Sequence, residues 1–472
     1  MNKDVFRTLI IEGQEVLQEV ELFERPYEFE EQGRYVLVGI RQAGKSYLLY
    51  QRAKQLMEQG HAVQEMVYIN FDDERLLGMK ADDFDLILQA YSSIYSGNPI
   101  LFFDEIQNIA GWEHFARRLA NQKYMVYITG SNAKMLSRDI ATTLGARYFD
   151  EKVFPYSFHE YLKAQGINLS TNWMYGKQKG TVQQMLDKYL QWGGFPELLM
   201  YQNKRHWLNG LYEKIILGDV IQRNGIKNEQ ALRLAMKRLA ENVKQPTAYN
   251  RLANMVKSTG ISTNTASIID YIRLVKEVCL IFTIENFASK FVEKETTKKH
   301  YFTDNGLLSI FLTDQPTSLL ENLCAITLHK RYATDDASRL YYYNKNIEVD
   351  FYIPEEAMAI QVSYSLEDPE TRKREINALS LLHKAFPLKK ALVITYDEEG
   401  IMETNGLTIE IVPVWKWLLQ LICSNRSNFT EQLVVLLASV GAYGARPRPI
   451  RRMRFAKGEG DVNSLRRSTL IR

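Results

Sequence analysis

The chain has 472 residues, 46% of them apolar and 24% charged, with a formal net charge of +3. This is an ordinary globular balance with core material for about three domains. No apolar run reaches the roughly 18 residues a bilayer-spanning helix needs. Met1–Glu12 also lacks the apolar core of a secretory leader, so a cytoplasmic protein without membrane association is expected. The three cysteines, Cys279, Cys324 and Cys423, are far apart and form no CxxC. They read as buried small apolar residues in a reducing compartment.

In chain order, a 1–30 N-terminal segment precedes a stretch, 31–165, in which strand and helix patterns alternate. Strands are expected at Arg34–Val38, within Ala62–Phe71, and at Pro99–Phe103, Tyr124–Thr129 and Arg147–Phe154. Helices are expected at Lys45–Gln59, Asp82–Tyr95 and Trp112–Gln122. Such alternation implies a parallel α/β sheet covered on both faces.

Gly39, Ile40, Arg41, Gln42, Ala43, Gly44, Lys45 and Ser46 spell GxxxxGK[ST] between an apolar strand and an amphipathic helix, with Tyr47 next. Backbone N–H groups of such a loop and the following helix N-terminus face one point, where a phosphate chain fits. Lys45 supplies a cation for the outer phosphates, and Ser46 a hydroxyl for Mg²⁺. The ligand is ATP or a close relative such as GTP. The strand Ile100–Phe103 then ends in Asp104, a ligand for Mg²⁺, and Glu105, a base that orients the attacking water. After Tyr127-Ile-Thr-Gly130, Ser131 or Asn132 stands where a γ-phosphate or that water can be sensed. The alternative is a helix N-cap using Ser131.

Together GIRQAGKS, FFDEIQ, YITGSN and LGARYFDEKVFPYSFHEYL resemble the AAA-type ATPases of prokaryotes. More narrowly they are similar to the family in which the ATPase domain is followed by a C-terminal domain of unknown function. YLQWGGFPE (189–197), HYFTDNG (300–306) and EVDF (348–351) extend the resemblance over residues 10–420. It implies ATP with Mg²⁺, catalytic roles for Glu105, Ser131 and Asn132, and an arginine finger at Arg147 acting on a neighbouring subunit. A surface ion pair is the competing reading of Arg147. Gly193, Gly194 and Pro196 would form a lid turn near the base, or a tight interdomain turn.

Residues 166–245 are helix-rich and read as that lid. Residues 246–315 carry a helix-turn-helix pattern: Tyr249–Lys257, a turn at Gly260 with Ser262 as N-cap, and Thr263–Val275 with Ala266, Ile269, Ile272 and Val275 at core spacing. With Leu280–Phe287 and Lys299–Phe302 as a wing, the unit resembles a winged helix. Its DNA-reading candidates are Thr263, Asn264 and Thr265, plus Lys290, Lys294, Lys298 and Lys299. Protein docking is the other use of such a unit.

Residues 316–420 return to mixed α/β and resemble the PD-(D/E)XK nuclease core through Glu321, Asp350 and Gln361. Gln361 replaces the second carboxylate and Ser363 the lysine of that pattern, so a degenerate site is expected, with Lys373 or Arg374 as substitutes from the next helix. Residues 421–472 include a helix-like run at Asn428–Val440. Arg446–Arg472 holds eight arginines and one lysine against Glu459 and Asp461, which leaves the rest of the chain at −4. That tail reads as disorder or as an arm for nucleic acid. Three functions stay open: an ATP-driven switch on a DNA or protein partner, which can be oligomeric; a Mg²⁺-dependent nuclease; and a regulator that binds ATP only as a ligand.

Overall fold

Four short apolar runs and one charged run form the strands β1 (Tyr35–Val38), β2 (Met66–Asn70), β3 (Ile100–Asp104), β4 (Val126–Gly130) and β5 (Phe149–Lys152) in the computed structural model, which describes residues 1–313, 315–332 and 339–420. The basic tail, the Asn428–Val440 run and Cys423 lie outside the described residues. All five strands are parallel, in the order β2-β3-β4-β1-β5. β1, β3 and β4 are buried along their whole length, as the central strands of a doubly covered sheet must be. The edge strand β5 is exposed and carries Asp150, Glu151 and Lys152, charges that discourage pairing with another chain.

Successive residues divide between two cores. Val36, Val38, Leu101 and Phe103 face Phe6, Leu9 and Ile10 of the helix Lys3–Glu19, while Leu37, Phe102 and Tyr127 face Leu48 and Leu49 of the helix Lys45–Glu58. The N-terminal helix is therefore packed onto this sheet. A Cβ on Gly13 would lie 2.4 Å from the Tyr68 carbonyl oxygen, so only glycine lets this helix approach so closely.

Helices Gln178–Trp192, Lys204–Glu213 and Glu229–Glu241 follow, with a nine-residue π-helical stretch at Lys214–Gln222. Beyond them come β6 (Thr247–Ala248), β7 (Ile281–Asn286), β8 (Thr297–Phe302), β9 (Tyr341–Asn344), β10 (Glu348–Ile353), β11 (Met358–Val362), β12 (Lys390–Thr395), β13 (Gly400–Thr404) and β14 (Leu407–Pro413). They make one nine-stranded sheet, ordered β13-β14-β12-β11-β10-β9-β7-β8-β6, that runs across the 315/316 boundary expected from sequence. The join is the parallel pairing of β7 with β9, Glu285 opposite Tyr341.

The helix Tyr249–Lys257 forms as expected, and Gly260 adopts φ +85° in the turn. The second helix is Thr265–Glu277, and its N-cap is Asn264, whose Oδ1 accepts the Ser267 N–H at 2.8 Å; Ser262 does not cap it. The buried face is Ile268, Tyr271, Ile272 and Val275, whereas Ala266 is exposed and Ile269 is 43% exposed. Two of the four expected core positions therefore point outward. Among the described residues, no helix is long and apolar enough to cross a membrane.

Candidate nucleotide site

The glycine loop lies between the end of β1 and the helix Lys45–Glu58. A Cβ on Gly39 would sit 1.9 Å from the Val153 carbonyl oxygen, and Gly44 takes φ +91° as the helix N-cap. No side chain caps that helix, so its first N–H groups stay available to an anion. Lys45 is buried; its Nζ donates to the Ile40 carbonyl at 3.2 Å and lies 3.3 Å from Glu105 Oε1. Gln42 and Tyr47 are exposed, Tyr47 resting edge-on against Tyr50.

β3 delivers the acidic pair. Asp104 is buried and hydrogen-bonded by Ser46, Thr129 Oγ1 and the Tyr68 hydroxyl, the last at 2.9 Å. Burial, and then Glu105, push its pKa above the ordinary carboxylate range. A neighbouring cation would restore its charge. Glu105 behaves oppositely. Burial would raise it, but Lys45, Gln107, Arg41 and Ser131 together hold it below its usual value, so it stays ionised. Its backbone takes φ +52° just past the strand end, and its N–H donates to Thr129 Oγ1 at 3.0 Å.

Ser131 and Asn132 separate clearly. Ser131 is buried at the end of β4, and Gln107 Nε2 bridges its Oγ (3.3 Å) and Glu105 Oε2 (2.6 Å). Asn132 Oδ1 instead accepts the Lys134 N–H at 2.9 Å, so it is Asn132 and not Ser131 that caps the short helix Ala133–Leu136. Arg147 is exposed just before β5, its Nη1 3.4 Å from the Gly145 carbonyl.

Ser46 and Asp104 offer hard oxygen donors side by side, which suits Mg²⁺ bound with substrate phosphates. Among the described residues no group of three or more His, Cys, Asp or Glu side chains is arranged to hold a metal alone.

Several further contacts support the loop, some of them from residues outside any motif. Arg25 is buried and donates to the Ala43 carbonyl (3.1 Å), the Phe154 carbonyl (3.0 Å) and Glu160 Oε1 (2.7 Å). Arg41 makes a two-pronged contact with Asp219 of the π-helical stretch, at 2.5 and 2.9 Å. A Cβ on Gly44 would meet Arg25 Nη1 and Pro196 Cγ at 3.7 Å, so Pro196 stands beside the loop. Gly193 and Gly194 do not: they contact Asp304 and Tyr156. Signals were present only as isolated residues, such as the Arg-Pro pair before β1 and the glutamine two places after Glu105.

The C-terminal candidates also converge. Glu321, Asp350, Gln361 and Ser363 all line one cavity of about 570 Å³. Arg374 lines it too, but its Nη2 is tied to Glu375 at 2.6 Å. Lys298 and Lys299, expected as DNA-reading residues, are buried; Lys298 pairs with Glu285 at 2.9 Å.

A parallel sheet with this loop, lysine and acidic pair has the architecture of a P-loop ATPase. Residues 31–162 match an AAA domain and residues 183–318 a domain of unknown function (DUF8612). An uncharacterized protein of Haemophilus influenzae is 30% identical over 394 residues, 82% of this chain and 94% of that one. The uncharacterized protein MJ1544 of Methanocaldococcus jannaschii is 29% identical over 427 residues, 88% of this chain and 95% of that one. The chain belongs to the family of these proteins. Among solved structures, the Walker-type ATPase PABY2304 of Pyrococcus abyssi aligns at 13% identity with a TM-score of 0.39, over 66% of this chain and 95% of that one. The Aeropyrum pernix ORC1 protein, solved in complex with DNA, aligns at 12% and 0.29, over 69% and 94%.

Proposed function

We propose that the chain hydrolyses ATP with Mg²⁺ and uses the cycle as a conformational switch on a partner. The observation that carries this is the Lys45–Glu105 contact within a network that also holds Gln107 and Ser131. In this reading Lys45 grips the outer phosphates once nucleotide draws it from Glu105. Ser46 and Asp104 hold Mg²⁺, Glu105 orients water, and Ser131 with Gln107 positions Glu105 and reads the γ-phosphate. Mg²⁺ supplies charge neutralisation between the phosphates when bound. Asn132 acts through its cap, and Arg147 is free to serve a neighbouring subunit.

The switch reading is supported by contacts that leave the nucleotide site for the C-terminal half. Arg41 reaches Asp219, and Lys134 after β4 lies 3.2 Å from Glu277. We assign residues 166–245 to a lid, 246–315 to a winged-helix-like unit and 316–420 to a nuclease-like unit. The order β6, two helices, β7, β8 and the antiparallel set β6-β8-β7 support the second assignment. Its outward helix face carries Thr265, Ala266, Ile269, Asp270, Arg273 and Lys276, with Arg273 drawn to Glu277 and Asp270 and Lys276 Nζ donating to Thr283 Oγ1 at 3.2 Å. A face with one acid, one paired arginine and one lysine suits a protein partner better than a phosphate backbone, which calls for several spare cations.

The test is ATP turnover by the full chain, alone and with DNA, RNA or cell-extract proteins. Lys45→Ala should abolish nucleotide binding. Glu105→Gln should keep binding and lose turnover by at least about 100-fold. Undiminished turnover by E105Q defeats the assignment, and stimulation by DNA alone turns the partner from protein to nucleic acid.

A further inference from the structure

Three carboxylates that line the nuclease-like cavity share a buried cation lying behind its wall. Lys299, on β8, is 0% exposed, and its Nζ lies 3.1 Å from Asp350 Oδ1, 3.2 Å from Glu348 Oε1 and 3.3 Å from Glu321 Oε1. An ammonium has three N–H donors and here meets three carboxylates. Those separations are hydrogen-bond lengths, well beyond the 2.0–2.6 Å at which oxygen ligands hold Mg²⁺ or Ca²⁺.

Several of the remaining polar atoms are spoken for. Asp350 Oδ2 accepts the Val362 N–H at 3.0 Å. Gln361, in the place of a second carboxylate ligand, spends its amide on the β10 backbone: Oε1 accepts from Asp350 N at 2.8 Å and Nε2 donates to the Glu348 carbonyl at 3.1 Å. Glu321 Oε1 also accepts the Tyr301 hydroxyl at 2.8 Å. The residues therefore do not fit the metal ion that the nuclease resemblance implies. A dication placed among these carboxylates would sit against a buried ammonium, a repulsion that the weak screening of an interior leaves large.

We infer that Lys299 is the resident cation of this carboxylate cluster, taking the position of a divalent metal and excluding one while it is in place. The acidic cluster is then a strut that fastens β8 to β10 and to the helix Pro316–Tyr332, and the space beside it is a pocket without metal chemistry. Sequence reading sought the missing lysine at position 363 or on the following helix. It comes instead from β8, 64 residues before position 363. This inference stands independently of the nucleotide site.

The test is Mn²⁺ binding to the nucleotide-free full chain, followed by the loss of free-ion spectroscopic signal. Wild type and Asp350→Asn should bind the same number of ions, since any weak binding at Ser46 and Asp104 is common to both. Lys299→Ala should gain one equivalent of bound Mn²⁺, recover thermal stability as Mn²⁺ is added, and lose both properties when Asp350→Asn is added. Wild-type binding that disappears in D350N overturns the inference. So does a folded K299A that gains no site. Should K299A fail to fold, the wild-type and D350N comparison decides by itself.

Discussion

Asp304 Oδ2 accepts the backbone N–H of Gly194 at 2.8 Å, while its Oδ1 accepts that of Gly306 at 2.7 Å. One carboxylate thus fastens the glycine turn after Gln178–Trp192 to the residues that follow β8. Gly193 takes φ +73° there, and a Cβ on it would lie 1.9 Å from Asp304 Oδ1.

Gly193→Ala therefore meets both a backbone penalty and a clash with a buried carboxylate. Gly260 supplies the control, with φ +85° and nothing within 4 Å of its Cβ position. Denaturant unfolding should find G260A weaker by about 1 kcal/mol and G193A by about 3 kcal/mol or more. Equal losses would mean that Asp304 yields freely and is no fastening.

A second fastening joins the glycine loop to the π-helical stretch. Arg41 is 17% exposed and Asp219 only 3%. The fork geometry favours a guanidinium over an ammonium. A double-mutant cycle with Arg41→Met and Asp219→Asn should return a coupling of about 1–3 kcal/mol. R41K should behave more like R41M than like wild type. Coupling near zero would remove this contact from the route between the nucleotide and the C-terminal half.

The glycine loop was legible because its requirements are local: a few backbone amides, two glycines and adjacent Lys45 and Ser46. Four of the five strands of the parallel sheet were legible from apolar runs, with strand ends within about two residues in most cases. What sequence could not give is pairing at a distance. Lys299 meets acids 22 to 51 positions later, and those contacts turn an expected DNA-facing lysine into a buried one. The face of Thr265–Glu277 was also misjudged. Positions 266, 269, 272 and 275 fit a helical stripe, but 268, 271, 272 and 275 fit equally well, and packing chooses between them. Ser262 and Asn264 are both capable caps, and two residues of backbone geometry decide which is used.

Acid should act on the sheet through His300. Burial, then Lys276 and Lys298, hold its imidazole down to about 3, so it folds neutral. The unfolded chain binds a proton near 6.5 that the folded chain refuses, so this contribution is complete above that pH and is lost as pH falls toward 3. Asp304 has the opposite sign. Burial raises it to about 6, partly offset by the Gly194 and Gly306 N–H groups, so the folded chain gains over the unfolded one as pH falls from 6 toward 3.8. Each group changes stability by up to about 1.4 kcal/mol per pH unit in its window. Relative to wild type, His300→Phe should lose less stability between pH 6 and pH 4, and Asp304→Asn should lose more. Parallel stability–pH curves for all three proteins would contradict both assignments.

Arg25 is the residue through which the N-terminal segment meets the nucleotide loop. Its guanidinium spans the Ala43 carbonyl on one side and Glu160 with the Phe154 carbonyl on the other. Gln51 fixes the backbone on which it sits, accepting from Arg25 N at 2.9 Å and donating to its carbonyl at 2.8 Å. A lysine can satisfy one of those directions but not both, because an ammonium lacks the planar reach of the fork. Arg25→Lys should thus lower stability by about 1–3 kcal/mol and also weaken nucleotide binding several-fold, since the loop loses the group that holds Ala43. Glu160→Gln separates the two effects. It weakens the far side of the same cluster, and with it the cap on Ser157, but leaves the Ala43 contact in place. E160Q should therefore be destabilised while binding nucleotide with close to wild-type affinity, measured by titration calorimetry at a temperature where both variants are folded. If R25K and E160Q bind nucleotide alike, Arg25 supports the fold and has no separate hold on the loop.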